Sequence, residues 1–171
     1  MSKIAIILAS ETKNLELANR IEKEIQDSGH EPVLIKLIDL DLPLYTSRAE
    51  KLHSASELLG PVLDQIREAE GFVFIAPEYN GGVPPILTNF LAWVSRSTKN
   101  WRENLTGKPA ALATYSGGAG FNVLLSMRTQ LSYIGMNIVG RSLQFHSKYD
   151  FNEVDIKAVV QQLLKLCYPS T

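Results

Sequence analysis

Nearly continuous apolar runs alternate along this chain with segments whose apolar residues recur every three or four positions. Five runs predict strands buried on both faces, at 3–9, 32–38, 71–76, 109–115 and from 137 onward. Five segments predict helices, at 14–28, 55–69, about 86–98, after 120 around Leu124, Met127 and Leu131, and at 154–167. This alternation predicts a parallel sheet with helices on both faces, in the α/β class.

Residues 39–54 show neither pattern and predict a long irregular connection. A loop of that length in a compact domain is more often functional than not. The chain contains no internal repeat and no linker, and its 171 residues suffice for one domain with a full core. We therefore expect a single domain over residues 1–171.

Composition excludes some classes of function but does not identify the function of this protein. Apolar residues make up 45% and charged residues 20% of the chain, which is typical of a globular protein. The net charge of −1 indicates neither nucleic acid nor an anionic membrane surface as a partner. The opening apolar run is shorter than the core of a signal peptide, and no stretch approaches the roughly 20 apolar residues that span a bilayer. We expect no membrane partner.

The cysteine and histidine residues indicate neither a disulfide framework nor a metal site. Cys167 is the single cysteine, which excludes an internal disulfide and fits a reducing compartment. His30, His53 and His146 lack the spacing of paired zinc ligands. We therefore expect a cytoplasmic protein without a bound metal.

The loop at 77–85, between the third strand and the third helix, is rich in Pro and Gly. In open parallel sheets, ligands bind beyond the carboxyl ends of the strands. Tyr79 offers the face of an aromatic ring, and Gly81 and Gly82 allow backbone N–H groups to approach a flat ligand. The alternative is a structural turn with prolines at the start of a helix. We interpret the loop as part of a flavin site.

Two further loops follow strands at the same edge of the predicted sheet. Residues 10–14 offer hydroxyl and amide groups at a helix N-terminus, which suits either a phosphate or an ordinary N-cap. Residues 115–120 contain three glycines, which permit either close approach to a ligand or a tight turn. Because the three loops follow strands 1, 3 and 4, they predict one crevice. The absence of a GxGxxG fingerprint favours FMN over FAD.

The segment at 77–85 carries a family resemblance. The chain resembles the NADPH-dependent flavin reductases with a flavodoxin-like fold, a group that includes chromate, quinone and azo-dye reductases. The motif is Pro77-Glu78-Tyr79-Asn80-Gly81-Gly82-Val83-Pro84, continued by Leu87, Asn89 and Trp93. Segments 42–45 and 116–120 also match the family, so the resemblance covers nearly the whole chain. It implies a flavodoxin-like doubly wound five-stranded parallel sheet in the order 2-1-3-4-5.

The resemblance also implies an activity, a cofactor and a set of binding residues. The implied activity is that of an FMN-dependent oxidoreductase, which passes a hydride from NADPH or NADH to the flavin and then reduces a flavin, quinone, azo or metal acceptor. The flavin performs the chemistry, so no catalytic side chain is implied. The implied partners are a nicotinamide, a small-molecule acceptor and further copies of the chain, in a homodimer or homotetramer. The implied FMN contacts are Ser10, Thr12, Lys13 and Asn14 at the phosphate, Pro77, Glu78, Tyr79, Asn80 and Gly81 along the isoalloxazine, and Ser116, Gly117 and Gly118 at its pyrimidine edge.

Two other functions remain open from the sequence. A flavodoxin-type FMN electron carrier would share the fold, although such carriers are usually strongly acidic and this chain has a net charge of −1. A non-redox α/β domain could use the same crevice for binding, although the Tyr79-Asn80 loop argues against it. The third predicted helix carries Ile86, Phe90 and Trp93 on one stripe, which is either core or interface and is more often core.

Overall fold

The computed structural model describes residues 1–167. Within that range the sheet consists of β1 Lys3–Leu8, β2 Glu31–Lys36, β3 Gly71–Ile75, β4 Pro109–Tyr115, β5 Asn137–Ile138 and β6 Leu143–Phe145. The helices are α1 Lys13–Asp27, α2 Ser47–Leu52, α3 Ala55–Leu59, α4 Pro61–Glu68, α5 Pro85–Val94, α6 Phe121–Ile134 and α7 Glu153–Leu164. Two short 3-10 helices lie at Leu37–Leu40 and Trp101–Asn104.

The strands lie in the order β2-β1-β3-β4-β5, and every neighbouring pair on this path is parallel. This confirms the flavodoxin-like doubly wound sheet expected from the sequence. The chain adds β2 on one side of β1 and then crosses back to add β3 on the other side of β1. The direction in which strands are added to the sheet therefore reverses between β1 and β3. In such sheets the carboxyl ends of the two strands at the reversal are the usual place for a ligand.

Alternate residues of the strands supply two apolar clusters, one on each face of the sheet. Ile4 and Ile6 of β1 pack with α1 and α7, whereas Ala5 and Ile7 pack with α3 to α6. This two-sided burial explains why the strands are apolar throughout. Phe90 and Trp93 of α5 are also buried, which confirms that the stripe on this helix belongs to the core.

The connection at 39–54 is more ordered than the sequence indicates. It contains α2 and is fastened to α5 by Asn89, whose side chain accepts a hydrogen bond from the Tyr45 N–H at 2.7 Å and donates to the Pro43 carbonyl at 3.1 Å. The Trp93 indole N–H donates to the same carbonyl at 2.7 Å. The prediction of an irregular loop is therefore wrong for this segment, because contacts with a helix more than 40 residues away along the chain order it.

Two predicted elements are divided in the structure. The helix expected at 55–69 breaks at Gly60, which has a φ of 39° and is followed by Pro61 at the first position of α4. The fifth strand becomes β5 and β6, which both pair with β4. Between them, Arg128 of α6 donates to the carbonyl oxygens of Val139 and Gly140 at 3.0 and 3.2 Å. A side chain from a neighbouring helix thus holds the bend that interrupts the strand.

The described residues hold neither a membrane-spanning helix nor a cluster of metal-binding side chains. No helix within 1–167 is both long and apolar enough to cross a bilayer. Within the same residues, no three His, Cys, Asp or Glu side chains lie close enough together to hold a metal ion. Cys167 is buried against the core, and burial raises the pKa of its thiol to about 12. We therefore assign Cys167 to packing, as a small hydrophobic side chain.

Lys108 connects the start of β4 to the C-terminal end of α4. Its Nζ donates to the carbonyl oxygens of Ile66 and Arg67 at 3.1 and 2.8 Å. Burial lowers the pKa of Lys108 from its usual 10.5 to about 8. Between these two pH values the unfolded chain binds more protons at this residue than the folded chain, so the contribution of Lys108 to stability increases with pH.

We expect the free energy of unfolding of the wild-type protein to rise, relative to that of Lys108→Met, as the pH increases from 8 toward 10.5. The expected slope is below about 1.4 kcal/mol per pH unit, because one group releases at most one proton. Below pH 8 the difference should be constant. Urea unfolding of both proteins across this pH range measures the difference between their free energies of unfolding. The other titrating groups contribute equally in both proteins and cancel in that difference. A flat difference above pH 8 would contradict the lowered pKa of Lys108.

Candidate cofactor-binding crevice

A cavity of about 460 Å³ lies at the carboxyl edge of the sheet, between the loops that follow β1, β3 and β4. The structure therefore brings the three predicted loops together. Of the twelve residues predicted to contact the cofactor, Asn80, Gly81 and Gly118 are exposed in the same loops without lining the cavity. The lining consists of Ser10, Glu11, Thr12, Lys13, Asn14, Pro77, Glu78, Tyr79, Tyr115, Ser116 and Gly117.

Thr12 holds an unusual backbone conformation at the start of α1. Its φ of 54° and ψ of −119° are rare for a β-branched residue, and such strain is concentrated at functional sites. Thr12 occupies the N-cap position, but its side chain makes no capping hydrogen bond. The Ser10 hydroxyl is 3.5 Å from the neighbouring Glu11 carbonyl oxygen. The N-cap alternative is thus not supported, and the uncapped first turn of α1 suits an anion.

Asn14 bridges the first loop to the end of β4. Its Nδ2 donates to the Tyr115 carbonyl at 2.9 Å, and its Oδ1 accepts from the Tyr115 N–H at 2.8 Å. The side chain is buried, so these bonds fix the distance between two walls of the crevice. Sequence reasoning assigned Asn14 to the phosphate and did not anticipate this brace. The backbone N–H of Asn14, in the first turn of α1, is the group that suits a phosphate.

Lys13 places a positive charge at the rim of the crevice, next to an acidic side chain and two aromatic rings. Its Nζ lies 2.9 Å from Glu16 Oε2, and it also lies 5.7 and 5.2 Å from the ring centroids of Tyr115 and Phe151. The hydrogen bond to Glu16 raises the pKa of Lys13, so the amine is charged at neutral pH. Because this pair is exposed, water screens its field, and the charge of Lys13 offers only a modest attraction to an anion.

Tyr79 to Gly82 form a tight turn at the mouth of the crevice. The N–H of Tyr79 donates to the Gly82 carbonyl at 3.1 Å, and the N–H of Gly82 donates back at 3.0 Å. Asn80 and Gly81 have φ values of 51° and 76°, as in a type I′ turn. Asn-Gly is the residue pair that this turn favours, a signal that the sequence interpretation missed. The turn holds the Tyr79 ring 53% exposed.

Glu78 and Ser116 tie the second loop to the third. The Glu78 N–H donates to Ser116 Oγ at 2.8 Å, and Ser116 Oγ lies 2.8 Å from the hydroxyl of buried Thr114. The Glu78 carboxylate accepts from the Val123 N–H at 3.0 Å, in the first turn of α6. The side chains of Glu78 and Ser116 therefore form hydrogen bonds within the protein. These bonds shape the crevice by holding two of its walls together.

The glycines of the third loop have two different roles. A Cβ atom added to Gly117 or Gly118 would meet nothing within 4 Å, so open space lies beside both residues. Gly120 has a φ of 70°, and a Cβ there would come within 2.6 Å of Thr114 Cγ2. Gly120 is thus required by the fold. Gly117 and Gly118 leave room for a ligand, and together with the uncapped helix and the exposed ring they fit FMN.

A second cavity, of about 490 Å³, lies at the opposite edge of the sheet, where β3, β4 and β5 begin. The charged groups around it are already bonded within the protein. Glu68 accepts from Lys3 at 2.7 Å, and Lys108 donates to the carbonyl groups at the end of α4. The crevice at the carboxyl edge, where a helix N-terminus is uncapped, is therefore the better candidate for the cofactor.

Known sequences and structures agree with this geometry. The sequence model of the NADPH-dependent FMN reductase family matches residues 2–150. A quinone reductase of Pseudomonas putida is 30% identical over 139 residues, which cover 78% of this chain and 71% of that enzyme. A quinone reductase of Escherichia coli is 36% identical over 78 residues, which cover 46% of this chain and 40% of that enzyme.

Among solved structures, the NAD(P)H:(acceptor) oxidoreductase FerB of Paracoccus denitrificans has a similar fold. The two superpose with a TM-score of 0.77 over 98% of this chain and 100% of that chain. Their sequence identity is 20%, so this likeness concerns the fold alone. The family match extends over most of the chain, and this protein is therefore a member of the NADPH-dependent FMN reductase family, an FMN-dependent oxidoreductase that takes its electrons from NAD(P)H.

Proposed function

We propose that FMN binds in the crevice at the carboxyl edge of the sheet. The observation that carries this proposal is the strained, non-capping Thr12 at the start of α1, which leaves a helix N-terminus available for the phosphate. Around the phosphate we assign Ser10, Thr12, Lys13 and Asn14. To the isoalloxazine we assign Pro77, Glu78, Tyr79, Asn80 and Gly81 along the ring, and Ser116, Gly117 and Gly118 at its edge.

When bound, FMN would supply the redox chemistry that connects a nicotinamide donor to an acceptor. The chain contributes binding, orientation and electrostatics. Asn14 and Ser116 brace the walls of the crevice, and Glu78 holds the second loop against α6. Backbone N–H groups near Gly117 and Gly118 would stabilise negative charge on a flavin held beside them. No side chain is assigned as an acid or base.

The acceptor in this proposal is a quinone or another planar compound that occupies the position vacated by the nicotinamide. Two features support it. The Pseudomonas putida relative is a quinone reductase, and it shares 30% identity over 78% of this chain. The Tyr79 ring is 53% exposed at the mouth of the crevice, where a second aromatic group can reach it.

The protein further acts, in this proposal, as a cytoplasmic homodimer or homotetramer. A reducing compartment fits the single cysteine, whose thiol is free. Assembly is supported by an exposed apolar stripe on α6, where Phe121, Leu125 and Tyr133 are 65%, 53% and 80% exposed. Leu125 of this stripe also lines an open groove of about 640 Å³ that reaches Thr88 of α5. Light scattering of the purified protein gives the mass that tests this assignment.

Tyr79→Ala is expected to raise the Kd for FMN by up to about tenfold, because an aromatic contact to a planar ring is worth roughly 0.5–1.5 kcal/mol. Thermal stability should change little, since the ring is half exposed. Titration of flavin-free protein with FMN, followed by fluorescence, measures the affinity. Stopped-flow absorbance then measures the reduction of the bound flavin by NADPH, which should be slower in Tyr79→Ala.

The matched control for this experiment is Tyr79→Phe, which keeps the ring and removes the hydroxyl. It should bind FMN as the wild-type protein does. If Tyr79→Ala unfolds at a much lower temperature but keeps the wild-type affinity and reduction rate, the 77–85 loop is a structural turn only. The crevice would then lose its assignment as the isoalloxazine site.

A further inference from the structure

Glu78 acts as a cap for a helix that lies in a different segment of the chain. The N-cap position of α6 is Gly120, which offers no side chain, and the first turn of α6 contains no acidic residue. Glu78 Oε2, from the second loop, accepts the N–H of Val123 in that turn at 3.0 Å. A carboxylate at this position interacts favourably with the positive end of the helix dipole.

The backbone of Glu78 is held as firmly as its carboxylate. Its N–H donates to Ser116 Oγ at 2.8 Å, and Ser116 is 4% exposed. Ser116 is in turn 2.8 Å from the hydroxyl of Thr114, which is fully buried. Because Glu78 is fixed at two points, its negative charge has a defined place in the wall of the crevice.

The field of this charge is screened less than that of the other charged groups in the lining, Glu11 and Lys13. Glu11 is exposed, and Lys13 is exposed and paired with Glu16. Water and counter-ions weaken the field of exposed charges. Glu78 is half-buried and fixed by hydrogen bonds, so its charge acts on the crevice through protein of lower dielectric constant.

We propose that the Glu78 carboxylate is a positioning residue that also sets the reduction potential of the flavin in this crevice. By offsetting the positive end of α6, it makes the crevice less favourable to the negative charge that FMN gains on reduction. It thereby lowers the potential of the bound flavin and makes the reduced enzyme a stronger donor to its acceptor. This inference rests on the proposed binding of FMN in the crevice.

Glu78→Gln is the decisive variant, because the amide oxygen can still accept the Val123 N–H while the charge is lost. In this variant, we expect the ratio of the affinity for reduced FMN to the affinity for oxidised FMN to be about tenfold higher than in the wild type. For a two-electron couple, tenfold corresponds to a potential about 30 mV higher. Equilibration of the FMN-loaded protein with a reference dye measures the potential. Thermal unfolding of the flavin-free protein, whose midpoint should fall by no more than a few degrees through the lost charge at the end of α6, tests whether the fold is intact.

Two control variants separate charge from position. Glu11→Gln removes the same charge from an exposed position in the same lining, and its effect on the potential should be much smaller. Ser116→Ala removes the bond to the Glu78 N–H without changing any charge. It should weaken FMN binding and shift the potential much less than Glu78→Gln does, because the Glu78 charge remains in the lining.

An unchanged potential in FMN-loaded Glu78→Gln, or a shift equal to that in Glu11→Gln, would overturn the inference and leave the proposed function intact. A potential shift in Ser116→Ala as large as that in Glu78→Gln would also overturn it, because geometry and not charge would then be responsible. If the wild-type protein fails to bind FMN in a direct titration, the proposed crevice is wrong and the inference fails with it.

Discussion

Replacing Thr12 with Val is expected to weaken FMN binding about 10- to 100-fold and to leave the stability of the flavin-free protein nearly unchanged. Val preserves the shape of the side chain and the positive φ of 54°, so the backbone strain stays the same. The hydroxyl makes no capping bond in the protein, so folding does not depend on it. A hydrogen bond to a charged phosphate contributes roughly 1.5–3 kcal/mol, which sets the expected loss of affinity.

Two matched variants sharpen this test. Thr12→Ser keeps a hydroxyl and should retain most of the affinity. Thr12→Gly removes both the hydroxyl and the strain, so it should stabilise the flavin-free protein by about 1 kcal/mol while FMN affinity falls. Fluorescence titration and urea unfolding give the two quantities. If Thr12→Val lowers stability and leaves FMN affinity unchanged, the hydroxyl serves folding and the phosphate assignment is wrong.

Gly120→Ala is expected to lower the free energy of unfolding by about 3 kcal/mol. A φ of 70° is unfavourable for alanine, and the new Cβ would lie 2.6 Å from Thr114 Cγ2 and 3.2 Å from Ser116 Oγ. Both neighbours are buried and cannot move away easily. FMN affinity should also fall, because Ser116 ties the second loop to the third.

Gly117→Ala is the control for this prediction, since a Cβ at Gly117 would meet nothing within 4 Å. Its stability should match that of the wild type, and only FMN affinity should fall. Adding Thr114→Ser to Gly120→Ala removes the clashing methyl group and should restore part of the lost stability, as a double-mutant cycle would report. Equal losses of stability in Gly117→Ala and Gly120→Ala would contradict the different roles assigned to these glycines.

The sequence by itself determined the class of fold and the place of the crevice. Apolar runs such as 71–76 identify strands because burial on both faces leaves no position for a polar side chain. Pro, Gly and hydroxyl residues mark the loops between strand and helix, and parallel strands bring the carboxyl-end loops to one edge. Nine of the twelve residues predicted to contact FMN accordingly line one cavity.

The tertiary structure decided what most of those side chains contact. Asn14 bonds to Tyr115 across 101 positions of sequence, and Glu78 bonds to Val123 across 45. Periodicity reports only local geometry, so it cannot show that a polar residue serves a distant backbone group. For the same reason, the sequence pattern did not show that Asn89 orders the 39–54 connection, or that Arg128 holds the bend between β5 and β6. The strain at Thr12, too, depends on how the folded chain holds its backbone, and the identity of the residue does not reveal it.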